Sequence, residues 1–84
     1  MTIVEFNILY CIEKLSATQG LIPRGVTVKQ LKTILYDEGM GDLESHDITT
    51  DLMNMRRRRL VASMPGTETA CWVPTLYGSN VVTA

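Results

Sequence analysis

The stretch Asp47-Ile-Thr-Thr-Asp-Leu-Met-Asn-Met-Arg-Arg-Arg-Arg-Leu-Val-Ala-Ser63 changes its hydrophobic period partway along. Ile48, Leu52 and Met55 recur at helical spacing, whereas Leu60 to Met64 can be extended. Ser45 stands where an N-cap belongs, and Asp47 in the first turn complements the positive end of the helix dipole. Pro65 and Gly66 mark a turn, Thr69 to Val73 read as a return strand, and Pro74 ends it. A helix therefore feeds directly into a β-hairpin whose loop is Pro65 to Glu68.

Upstream, two further helices are legible. Thr2 with Glu5, and Thr27 with Gln30, each have the three-residue spacing of a capping box. Val4, Ile8, Cys11, Ile12 and Leu15 share one face of the first helix, and Phe6, Leu9 and Tyr10 widen that apolar band. Leu31, Ile34 and Leu35 give the second helix a shorter stripe, which should end between Asp37 and Gly39. The connection Leu21 to Gly25 holds a proline and a glycine and is read as a link with one short extended pairing. Downstream, Thr75 is expected to cap a single helical turn before Gly78, with residues 79–84 as a short uncharged tail.

The chain has 84 residues, enough for one domain, read as residues 1–78. Hydrophobic residues make up 45% and charged residues 20%, which excludes a disordered or collagen-like chain. Eight basic and nine acidic residues leave a net charge of -1, so any affinity for polyanions must come from a local patch. The apolar run near the N-terminus is too short and too interrupted by charge to span a bilayer or to serve as a leader, and a cytoplasmic, membrane-free protein is expected. Two distant cysteines and a single histidine do not supply a zinc site. Without a phosphate loop, a nucleophile motif or paired carboxylates, the sequence predicts a non-enzyme with no cofactor.

Three helices followed by a hairpin give an α+β fold, mainly α: a three-helix core with a two-stranded β-hairpin wing, the order of a winged helix-turn-helix. The run Asp47–Ser63 followed by Thr69-Ala-Cys-Trp-Val-Pro-Thr-Leu-Tyr-Gly78 resembles the MarR-type winged helices. Leu52, Met55, Leu60 and Val61 match that family's spaced apolar positions, and Pro74, Thr75 and Gly78 sit at its closing motif. Arg59 occupies the place usually held by glycine, and the family's long dimerisation helices have no counterpart. The resemblance implies a transcription regulator that binds double-stranded DNA with its third helix.

The candidate contacts follow from residue chemistry. His46, Thr49, Thr50 and Asn54, near the start of the third helix, carry groups suited to base edges. Asp47, Thr50, Asp51 and Asn54 are expected on its outward face, where the two carboxylates would oppose phosphates. Arg56, Arg57 and Arg58 could hold phosphates, or could simply complement the helix C-terminus. Each residue turns the helix by about 100°, so the arginine run cannot face one surface. Lys29 and Lys32 on the second helix and Arg24 in the connection are the remaining cationic candidates. Gly66, Thr67 and Glu68 give the wing no basic probe. Trp72, Tyr77 and the methionines read as packing residues, with Met53 the exception that could meet a partner.

The acidic pI of about 5.7 and the bare wing support a second reading. In it, the same fold is a protein-interaction module, such as a phage- or plasmid-type accessory factor docking on a host regulator, polymerase or nuclease. A second copy of the chain is the other partner considered.

Overall fold

The computed structural model describes residues 1–18, 25–64 and 71–83. The fold is α+β and mainly helical. Its elements run α1 (Ile3–Thr18), α2 (Val28–Asp37), α3 (Ser45–Arg57), β1 (Val61–Met64), β2 (Cys71–Pro74) and α4 (Leu76–Thr83). The three-helix core and antiparallel hairpin expected from the sequence are both present. Arg24 and the hairpin loop, Pro65 to Glu68, lie outside the described residues.

Both predicted capping boxes form. The Thr2 amide donates to Glu5 Oε1 at 3.0 Å and the Glu5 amide to Thr2 Oγ1 at 3.1 Å. At α2 the Thr27 amide donates to Gln30 Oε1 at 2.9 Å, and the Gln30 amide to Thr27 Oγ1 at 3.2 Å. The cap of α3 departs from expectation. Glu44, not Ser45, is the N-cap, because Asp47 reaches back to accept the Glu44 amide at 3.1 Å and Ser45 is already helical.

Helix α1 is the centre of the molecule and packs against α2, α3, β2 and α4. Ile8, Leu9 and Ile12 are fully buried there. Phe6 and Tyr10 do not widen the buried band as predicted and stay 40% and 43% exposed. Leu31 and Leu35 from α2, and Ile48, Leu52 and Met55 from α3, complete the helical core. Leu60, Val61 and Trp72 from the hairpin close its open side. Of the methionines only Met55 is buried, so the expectation that most fill the core is corrected; Tyr77 is likewise exposed.

Helices α2 and α3 end in the same way. At α2 the Gly39 amide donates to the Tyr36 carbonyl and the Met40 amide to the Leu35 carbonyl. At α3 the Arg59 amide donates to Arg56 and the Leu60 amide to Met55. Both are Schellman turns, which need a left-handed residue at the first position past the cap. Gly39 supplies it with φ 87° and Arg59 with φ 62°. Burial of Met55 and Leu60 adds the apolar contact that usually accompanies the turn.

The hairpin pairs Val61 with Pro74, Ala62 with Val73, Ser63 with Trp72 and Met64 with Cys71. On its other edge β2 pairs with Val26, whose amide and carbonyl both bond Trp72 at 2.8 Å. Of the connection expected to hold an extended pairing, residues 21–24 lie outside the described residues, and the pairing seen is at Val26. Gly25, with φ 81°, makes this approach feasible, since a Cβ there would lie 2.7 Å from that of Cys71.

The C-terminal segment corrects the predicted tail. Thr75 caps α4 by accepting the Gly78 amide at 2.9 Å, but the helix continues to Thr83. Ser79 donates to Glu13 Oε2 at 2.6 Å, and Val81 and Val82 pack against the core. Gly78 does not stop the helix; it lets α4 rest on the backbone of Leu60.

Candidate nucleic-acid interface

Burial of Ile48, Leu52 and Met55 fixes the orientation of α3. At about 100° per residue, the side opposite them carries His46, Thr50, Met53 and Arg57, and all four are exposed. This ridge differs from the predicted outward face in three positions. Asp47, Asp51 and Asn54 lie instead on a flank with Arg58, the flank nearer the start of α1, and Asp51 and Asn54 are half-buried. Thr49 is half-buried on the other flank, which carries Arg56 towards the hairpin. Met53, 44% exposed, stands among the polar ridge residues.

The threonine hydroxyls are already committed as donors. Thr49 donates to the Ser45 carbonyl at 2.8 Å and Thr50 to the His46 carbonyl at 2.9 Å. What they retain outward is acceptor capacity and a methyl group, suited to an exocyclic amino group or a thymine methyl.

The four arginines diverge. Arg56 Nη1 donates to Ser63 Oγ at 3.3 Å, and its guanidinium lies 6.0 Å from the Trp72 ring centroid. Arg58 pairs with Glu5 Oε2 and places Nε 3.4 Å from the Asn54 carbonyl. Arg59 forms the left-handed turn, where its carbonyl accepts the Thr75 hydroxyl at 2.5 Å. The Arg57 side chain makes no hydrogen bond or ion pair among the described residues. On α2, Lys29 is exposed, while Lys32 is 3.4 Å from Glu44 Oε2. The structure thus leaves Arg57 and Lys29 unengaged, gives Arg56 to the hairpin, and pairs Arg58 and Lys32 with carboxylates.

Glu5, read from the sequence only as a cap, also borders this flank through Arg58. It is 6% exposed. The Thr2 amide, followed by the Arg58 charge, holds its carboxyl below the usual carboxylate range against the opposing effect of burial. Asp51 shifts the other way, raised by partial burial and then by the negative charges of Glu5 and Asp47. The signal for Glu5 was available: it falls on the same helical face as Ile8, Leu9 and Ile12, where an ionised carboxylate needs a partner.

Among the described residues no group of three His, Cys, Asp or Glu side chains could hold a metal ion. Cys11 and Cys71 are free thiols, and burial pushes the Cys11 thiol up. A cleft of about 460 Å³ between α1 and α2, floored by Leu35 and Cys11, is lined by none of the ridge residues. No described helix is long and apolar enough to cross a membrane. No protein-family model, curated protein or solved structure matches the chain.

Proposed function

We propose that this protein is a winged-helix module that binds duplex DNA through α3 and acts on transcription in the cytoplasm. The observation that carries this reading is the ridge of α3: His46, Thr50, Met53 and Arg57 are exposed together on a helix whose opposite side is fully anchored. A helix with one free polar face fits the major groove, which is about 12 Å wide. His46 and Thr50, towards the helix start, would meet base edges, Met53 a thymine methyl, and Arg57 a phosphate or a guanine. Arg56 beside the hairpin and Lys29 on α2 would add phosphate contacts.

With a net charge of -1, binding depends on this local arrangement and not on bulk attraction. The test is fluorescence anisotropy with labelled duplex fragments across a salt series. Affinity should fall steeply with salt, and Arg57→Ala should flatten the log–log slope by about 0.9, the value for one lost phosphate contact. Absence of binding, or binding indifferent to salt, rejects the reading.

The exposed Met53 and the carboxylate flank of Asp47 and Asp51 favour a second reading, in which the ridge docks on a protein. Complexes that survive nuclease treatment, from a protein that ignores heparin resin, would favour it.

A further inference from the structure

The arginine run does not offer its charge evenly around α3. Glu5 lies in the first turn of α1, and both of its carboxylate oxygens are occupied: Oε1 by the Thr2 amide and Oε2 by the Arg58 guanidinium. Asp47 and Asp51 stand on the same flank of α3 as Arg58, and Asp51 lies within the electrostatic reach of Glu5, Asp47 and Arg58 together. This flank therefore sets three carboxylates, Glu5, Asp47 and Asp51, against the one guanidinium of Arg58, and keeps a negative balance.

Resting on the DNA-binding reading above, we propose that Glu5 is a positioning residue for the interface: its buried carboxylate withholds Arg58 from the phosphate backbone, so the duplex is met by Arg57 and the hairpin side of α3. Transferring Arg58 to a phosphate would leave the buried Glu5 charge with the Thr2 amide but without a counter-ion. That exchange is unfavourable, because an uncompensated buried charge costs more than an exposed ionic contact returns. Arg57, one position along and about 100° around the helix, carries no such obligation. Neighbours in sequence thus differ in role: Arg57 is open to solvent, and Arg58 is the counter-ion of α1. Asp47 and Asp51 reinforce the division by repelling phosphates from the Arg58 flank.

The experiment is the salt dependence of duplex binding for the wild type, Arg57→Ala, Arg58→Ala, Glu5→Gln and the Glu5→Gln/Arg58→Ala double variant. Gln at position 5 keeps an acceptor for the Thr2 amide but removes the charge. Arg57→Ala should flatten the slope by about 0.9, and Arg58→Ala should leave it unchanged. Glu5→Gln should steepen it by about 0.9, and the double variant should return it to the wild-type value. A purely structural role for Glu5 would lower affinity at every salt concentration without changing the slope. The proposal is overturned if Arg58→Ala alone flattens the slope, or if folded Glu5→Gln keeps the wild-type slope. Should Glu5→Gln not fold, the Arg58→Ala result still decides. If Arg57→Ala responds as expected and the Glu5 variant does not, DNA binding stands and the withholding of Arg58 fails. If neither the wild type nor Glu5→Gln binds duplex, the DNA reading falls and takes this proposal with it.

Discussion

Gly78 rests directly on the Leu60 carbonyl: a Cβ at position 78 would lie 2.0 Å from that oxygen. The carbonyl cannot move aside, because it also accepts the Thr75 amide at 3.1 Å. Gly78→Ala should therefore push α4 away from the start of the hairpin and destabilise the fold by about 1–3 kcal/mol. Urea denaturation followed by circular dichroism measures this, and an unchanged midpoint would contradict the close contact.

Arg59 carries the opposite expectation. A non-glycine residue in the left-handed region costs about 1–2 kcal/mol, and Arg59 sits there at φ 62°. Arg59→Gly should recover part of that, raising stability by about 0.5–1 kcal/mol and the melting temperature by several degrees. The same Schellman turn already uses glycine at Gly39, so no new geometry is required.

Glu5 and Asp51 should give contrary pH dependences. The Glu5 carboxyl is depressed in the folded state, so its contribution is complete above the unfolded carboxylate range and is lost as pH falls through the lowered value. Glu5→Gln should cost about 1–2 kcal/mol at neutral pH, a difference that vanishes in acid. The Asp51 carboxyl is raised, so its ionised form weakens the fold above that value and protonation relieves the penalty as pH falls. Asp51→Asn should stabilise by about 0.5 kcal/mol at neutral pH and converge with the wild type on acidification. Thermal melts from neutral to acidic pH distinguish the two trends.

Trp72 is the only tryptophan and is buried, with the Arg56 guanidinium over its ring. Arg56→Ala should cost about 0.5–1 kcal/mol and shift the intrinsic fluorescence. Duplex addition should perturb Trp72 emission in the wild type and leave it unaltered in Arg56→Ala, which a fluorescence titration reads directly.

What could be read in the sequence is what nearby residues decide. Thr2 with Glu5 and Thr27 with Gln30 act across three positions, and the stripe Ile48, Leu52, Met55 fixes both the existence and the buried side of α3. The outward ridge was misread, because the same stripe at about 100° per residue already sets Met53 opposite the buried side and Asn54 on the flank. Gly78 looked like a stop because glycine commonly follows helices, whereas here a neighbouring backbone requires its missing side chain. The pairing of Glu5 with Arg58 joins opposite regions of the chain, and no local pattern encodes it. Arg24, the remaining candidate contact, falls outside the described residues.

The bond pair between Val26 and Trp72 has a consequence for how the chain can be assembled. Val26, just ahead of α2, takes its backbone partner from β2, so the helical half and the hairpin half are not separable units. Until Trp72 has been synthesised, Val26 has no mate and the core stays open on one side. A fragment truncated after β1 should accordingly be a protease substrate rather than a smaller folded protein.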